Sequence, residues 1–159
     1  MKVTIICVGR LKETYWQAAV AEYSKRLGRY VKLTIHEVAD EKTPETMSAA
    51  EGEAVRRKEG ERILKAVKED AFVVALAIEG KQFSSEEMAE LIENSGVRGV
   101  SHMTFIIGGS LGLSAAVMKR CDLAMSFSRI TFPHQMMRVV LLEQIYRGMK
   151  IIKKEPYHK

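Results

Sequence analysis

The chain has 159 residues, 47% of them apolar and 28% charged, with a formal net charge of +5. That is room for one domain, residues 1–159, with a real core, and little room for two. No apolar run approaches the roughly 20 residues of a membrane span, which excludes a spanning protein and, with ordinary composition, points to a soluble one.

The N-terminus, MKVTIICVGR, has a basic residue and an apolar run but no small-residue cleavage site. It reads as a first strand, Lys2 to Val8, rather than a signal peptide. Trp16, Val20, Tyr23, Leu27 and Tyr30 then fall at steps of four and three, one apolar stripe of a helix. Helical spacing makes these aromatics core residues before it makes them a base-stacking platform. Val31 to Val38 alternates apolar and polar residues, as a strand with one wetter face does near a sheet edge. His36 is then a surface residue.

Residues 40–70 are the most polar section. A loop around Pro44 leads into a long helix with Val55, Ile63 and Val67 facing inward. The run Arg56-Arg57-Lys58 is flanked by Glu51, Glu53, Glu59 and Glu61, so a salt-bridged solvent face is expected. Phe72 to Ile78 is a continuous apolar run, as in a strand covered on both faces. Ser84-Ser85-Glu86-Glu87 opens a helix with acids in its first turn, and that helix stops near Gly96. Strands alternating with helices in this way predict a parallel sheet with right-handed crossovers.

The most informative stretch is Phe105 to Met149. A strand, Phe105 to Ile107, runs into Gly108, Gly109 and Gly112, with Ser114 placed to cap a following helix. A second strand, Leu123 to Phe127, ends in Ser128, Arg129, Ile130 and Thr131 and meets Pro133, expected in the first turn of the last helix. Two such strand ends are what a parallel sheet uses to hold a ligand. The charge supports this placement. Residues 119–159 carry nine Lys or Arg against three acids, whereas the other 118 residues carry 16 against 17. A positive surplus beside candidate ligand loops favours a polyanion, most simply nucleic acid.

Other chemistries lack their residues. Glu79-Gly80-Lys81-Gln82 fails as a phosphate loop, which needs Gly at Ala75 and Ser or Thr at Gln82. The glycines do not fit GxGxxG, no GxSxG elbow exists, and the four histidines have no zinc spacing with Cys7 or Cys121. The two cysteines read as free thiols in a reducing cytoplasm. The chemistry is expected to need neither a metal nor a protein nucleophile.

These residues carry a resemblance. Val8-Gly9 ending the first strand, the strand with Leu76, Ile107 to Gly112 followed by Leu113-Ser114, and Pro133-His134 before a helix with Arg138 and Tyr146-Arg147 are similar to the SPOUT class of methyltransferases. With the terminal Pro156-Tyr157-His158, the chain most resembles the bacterial family that methylates N3 of a pseudouridine in 23S ribosomal RNA. The match spans essentially the whole chain. One departure is Ser110-Leu111, where members often have Pro-Glu, so no acid is available to act in that loop.

The resemblance implies a parallel-sheet α/β sandwich whose C-terminal segment forms a deep trefoil knot, an exception to the rule against knots. It also implies S-adenosylmethionine as cofactor, a homodimer, and large-subunit ribosomal RNA within the assembled ribosome as partner. Leu76, Gly108, Phe127, Ser128, Arg129, Ile130, Thr131 and Phe132 are the implied cofactor residues. Arg138, Tyr157 and His158 are the candidates for catalysis, with His134 a weaker one; the tail is expected to be loose. Two alternatives stay open: an RNA-binding module without catalysis, and a nucleotide-binding α/β protein whose anion sits near Ser114 at a helix N-terminus.

Overall fold

The computed structural model describes residues 1–159. In chain order it contains β1 (Lys2–Val8), α1 (Thr14–Leu27), β2 (Lys32–Val38), α2 (Ala49–Ala66), β3 (Phe72–Gln82), α3 (Ser85–Val97), β4 (His102–Ile107), α4 (Ala115–Arg120), β5 (Leu123–Ser126) and α5 (His134–Ile152). All five strands lie in one parallel sheet in the order β2-β1-β4-β3-β5. Parallel neighbours need crossovers, and the helices supply them. The crossovers also explain the apolar runs of β1, β3 and β4, since helices cover both faces of those strands.

Side-chain alternation divides the core in two. Val3, Ile5 and Cys7 of β1 join Leu27 of α1, Met88 of α3, and Leu141, Leu142 and Ile145 of α5. On the other face Ile6 and Val8 join Ile63 of α2 and Val117 of α4. The expected edge strand is β2, with Lys32, Thr34 and His36 exposed. Ser84 caps α3 through a full capping box with Glu87, a signal that was local and therefore readable.

Several boundaries differ from the sequence reading; β4, for one, begins at His102 rather than Phe105. Val31 precedes β2, because its N–H is still bound to Leu27 O at the end of α1 (3.0 Å). The apolar run from Phe72 continues as strand to Gln82, but with an irregularity: Leu76 and Lys81 both face Met125, and the residues between them bow out. Gly80 makes this possible, because a Cβ there would lie 2.7 Å from the Ala124 carbonyl carbon. Strand β5 ends at Ser126, one residue early, where the chain turns. Pro133 is not in the first helical turn but caps α5 with an extended ψ of 136°.

Candidate active site

The carboxyl ends of β3, β4 and β5 open into a cleft of about 520 Å³, a size suited to a small molecule. Its floor is the turn after β4. Gly112 N–H donates to Gly109 O at 3.1 Å, and Gly112 has φ +82°, a conformation that favours glycine. Gly108 lies so close beneath this turn that a Cβ would meet Leu113 Cδ2 at 3.0 Å and the Gly112 carbonyl carbon at 3.1 Å. Ser114 then caps α4, its Oγ accepting from Val117 N–H at 3.3 Å.

The opposite wall is the segment after β5. Ser126 Oγ donates to Ser128 O (3.1 Å), and Ser128 Oγ accepts from Ile130 N–H (2.9 Å). These local bonds hold an irregular loop in shape without a helix or strand. Ile130 is 69% exposed, Phe132 38% and, from the bowed part of β3, Ile78 48%. Three large apolar side chains gathered at one opening leave apolar surface that a ligand would cover.

Of the expected cofactor residues, Leu76, Gly108, Phe127, Ser128, Ile130, Thr131 and Phe132 all line the cleft. Arg129 lies in the same loop, is exposed, and is not among the lining residues. The sequence reading missed Ile78 and Glu79, which enter because β3 bows outward; the only signal was Gly80 interrupting an apolar run. It also missed Arg56. The run Arg56-Arg57-Lys58 forms no ion pair at all, contrary to the expected salt-bridged face, and Arg56 is half-buried at the cleft.

The first turn of α5 brings His134 and Met137 to the cleft. Burial, reinforced by the nearby Arg138 cation and opposed by Asp40 and Glu13, lowers the His134 pKa below the usual histidine value. At neutral pH His134 is therefore uncharged and able to accept a proton. Arg138 is one turn further on, on the same side of the helix as His134, but it does not line the cleft. Its Nη1 donates to Glu37 Oε2 (2.6 Å), and its Nη2 to Gly9 O (2.8 Å) and Val8 O (3.3 Å).

The tail is not loose. Lys154 adopts a left-handed φ of 55°, and Glu155 N–H reaches back to Lys150 O at 2.9 Å, folding the chain end onto α5. Tyr157 OH donates to Glu143 (3.0 Å), its ring packs edge-on against Tyr146 (4.9 Å), and the Arg147 guanidinium lies over it (4.7 Å). Burial and the Glu143 bond push the Tyr157 hydroxyl up to about 12, so it remains a donor. His158 bridges Arg147 (Nδ1, 3.2 Å) and Glu86 (Nε2, 2.7 Å). Tyr157 thus contacts α5 six to ten residues beyond Met137, roughly 9–15 Å along the helix axis. Neither Tyr157, His158 nor Arg138 lines the cleft.

Burial pushes the Cys7 thiol up to about 12 and the Cys121 thiol up to about 11, so neither is a thiolate nucleophile at neutral pH. No group of three or more His, Cys, Asp or Glu side chains is placed to hold a metal ion. No helix is long and apolar enough to cross a membrane.

A parallel α/β sheet with its cleft walled by the loops after β4 and β5, the two neighbours of β3, defines a ligand-binding class, and comparison with known proteins resolves which. The family described as predicted SPOUT methyltransferase matches residues 1–158, and the chain belongs to it. Among individual relatives, a Bifidobacterium adolescentis protein named ribosomal RNA large subunit methyltransferase H is 61% identical, over the full length of both chains. Proteins of the same name from Alkaliphilus oremlandii and Clostridium kluyveri are 57% and 54% identical, again end to end.

Proposed function

We propose that this chain is a cytoplasmic S-adenosylmethionine-dependent methyltransferase that methylates N3 of a pseudouridine in 23S ribosomal RNA, on the assembled ribosome. The observation that carries the reading is the cleft: seven of the eight residues that the family resemblance assigns to the cofactor line one pocket. In this reading the segment around Gly108 to Phe132 belongs to a deep trefoil knot, and the active form is a homodimer.

The residues fit an adenosine-bearing ligand. Backbone groups at Gly108, Gly109 and the 126–130 loop offer donors and acceptors to a base edge, while Ile78, Ile130 and Phe132 offer apolar surface to a flat ring. When bound, S-adenosylmethionine supplies an electrophilic sulfonium methyl. The chain's own work is to orient the acceptor and manage the proton on the uracil ring's N3. Neutral His134 at the cleft is placed to receive that proton, directly or through water. Arg56 at the cleft favours the anion left on the ring.

Tyr157 and His158 cannot reach their own cleft while docked on α5, so their role is assigned in trans, at the partner's cleft. The half-buried Met136, Val139 and Val140, which do not join the subunit's core, give α5 a surface for such pairing. Arg138 is assigned a positioning role: it ties the start of α5 to the ends of β1 and β2.

The test is calorimetry with S-adenosylhomocysteine followed by methyl transfer to ribosomes from cells lacking this enzyme. One binding event at the cleft and a single new methyl on a 23S pseudouridine are expected. Gly108→Ala should weaken the ligand at least tenfold, since its Cβ forces the 109–113 turn to move. Tight binding with no transfer to any ribosomal RNA would leave only the non-catalytic α/β binding protein.

A further inference from the structure

At the opposite, amino ends of the strands lies a second groove of about 600 Å³, with Ala66 its single apolar lining residue. It exists because α2 ends at Ala66 and leaves the start of the sheet bare on that face. Alternation sets its floor. Ile6 and Val8 face the α2 side of the sheet, so Lys2 and Thr4 do too. Register then aligns Lys32 and His102 on either side of Lys2, and Thr34 beside Thr4. The wall comes from Arg62, Lys65 and Lys68.

The groove holds five Lys or Arg and a single acid, Asp70. Only Arg62 among the cations is engaged, by Glu41 and Ala39 O; Lys2, Lys32, Lys65 and Lys68 make no ion pair. Thr4 Oγ1 lies 2.8 Å from His102 Nε2 and fixes that ring on the floor. Placing Lys2 directly opposite Lys32 is unfavourable for the sheet. Edge protection accounts for a lysine on β2, but not for Lys2 on the next strand inward or for the lysines of the wall.

We propose that this groove binds the phosphodiester backbone of the substrate RNA, flanking the nucleotide held at the cleft. The proposal rests on the reading of the chain as a ribosomal RNA methyltransferase. Geometry favours one continuous polyanion. Helix α2 presents Arg56 at the cleft and Lys65 at the groove, nine residues or roughly 14 Å apart. Along β1 the two sites are separated by six strand steps, about 20 Å. An RNA strand crossing α2 meets both, so the groove sets the register in which the target base enters the cleft. Phosphate contacts of this kind position a nucleic acid without reading its sequence.

The test is the triple variant Lys32→Gln, Lys65→Gln, Lys68→Gln. These side chains are exposed and unpaired, so the fold and S-adenosylhomocysteine affinity should be unchanged. The KM for ribosomes at 150 mM salt should rise at least tenfold with kcat retained, and binding of a 23S RNA fragment should weaken in parallel. The slope of log Kd against log salt should fall by about 2, from the loss of three phosphate contacts. A control triple, Lys25→Gln, Lys42→Gln, Lys58→Gln, removes the same charge elsewhere and should change KM less than twofold. Equal effects of the two triples would overturn the groove in favour of nonspecific attraction. Weakened ribosome binding with unchanged affinity for the RNA fragment would overturn RNA as the occupant and indicate a ribosomal protein. Absence of methyl transfer by the unmodified enzyme would remove the parent reading instead, and the fragment-binding comparison would still decide the groove.

Discussion

At the scale of single residues, the side chains that matter most are buried charges whose partners are distant in sequence. Arg138 is 2% exposed and joined to Glu37, 101 positions away. Partial burial would raise the Glu37 pKa, but Arg138 and the Leu11 N–H outweigh it and lower it below the usual value. A lowered carboxylate contributes stability above about pH 4.5 and loses it as pH falls through its folded-state pKa. Arg138→Met removes the charged donor from Glu37 and from the Gly9 and Val8 carbonyls and should therefore cost about 2 kcal/mol at pH 7, with a smaller penalty at pH 3, measured by urea unfolding at each pH. Its S-adenosylhomocysteine affinity should stay within a few-fold of the original, because the guanidinium does not line the cleft.

Glu59 presents the opposite sign. It is nearly buried, and a Cβ on Gly109 would meet its Oε1 at 3.1 Å, so it lies directly behind the cleft's glycine turn. Burial raises its pKa, and Asp40 and Glu41 add to this against the Glu41 N–H that Oε2 accepts. The folded state then holds this proton more tightly than the unfolded one, and ionisation erodes stability as pH rises above about 4.5. Glu59→Gln should be the more stable protein at pH 7, with the difference closing below pH 4.5. A variant less stable at pH 7 would mean the carboxylate is held favourably. Neither residue's role was legible in the sequence. Glu59 looked like one of four solvent acids, and only α2's seat against the 109–113 turn shows otherwise.

Among elements, α5 and the tail that folds back on it depart furthest from what their residues suggested. The sequence Pro156-Tyr157-His158 has no helical or strand period, so it read as a free end. What fixes it is the Lys154 turn together with Glu143, Tyr146 and Arg147, a surface that exists only once α5 is wound. Deleting Pro156 to Lys159 should leave S-adenosylhomocysteine affinity within twofold and remove most methyl transfer. Tyr157→Ala should cost roughly 5- to 150-fold in transfer, the range given by ~1–3 kcal/mol of aromatic stacking on a base. Tyr157→Phe, which lacks only the bond to Glu143, should cost less. Full activity in the truncated chain would reduce the docked tail to packing. The glycine turn and the α3 capping box, by contrast, were readable because their partners lie within a few residues.

For the whole molecule, helix–strand alternation correctly indicated a parallel sheet, yet the order β2-β1-β4-β3-β5 could not be read, because pairing between strands leaves no local trace. The proposed subunit pairing has the same character. Met136, Val139 and Val140 resemble core residues in the sequence and prove to lie outside the core. Light scattering at micromolar concentration should give about twice 17.9 kDa, and Val140→Glu should shift the mass toward a single chain with loss of transfer. A lone 17.9 kDa species in the unaltered protein would reject the dimer, and with it action of the tail in trans.

The interior position of β1, between β2 and β4, also governs how the protein comes into being. Its Lys2–Cys7 segment must pair with residues 102–107, and its inner face waits for Leu141, Leu142 and Ile145. At a synthesis rate of roughly 5–20 residues per second, Ile5, Ile6 and Cys7 leave the ribosome several seconds before β4 has even been made. No stable intermediate sheet protects them, since β1 and β2 alone form only a two-stranded ribbon, marginal in water. Completion is therefore largely post-translational, and the nascent N-terminal half is the stage at which chaperone dependence and aggregation should concentrate. Closure of the core and assembly of the cleft are then a single late event, so partly made chains carry no partial activity.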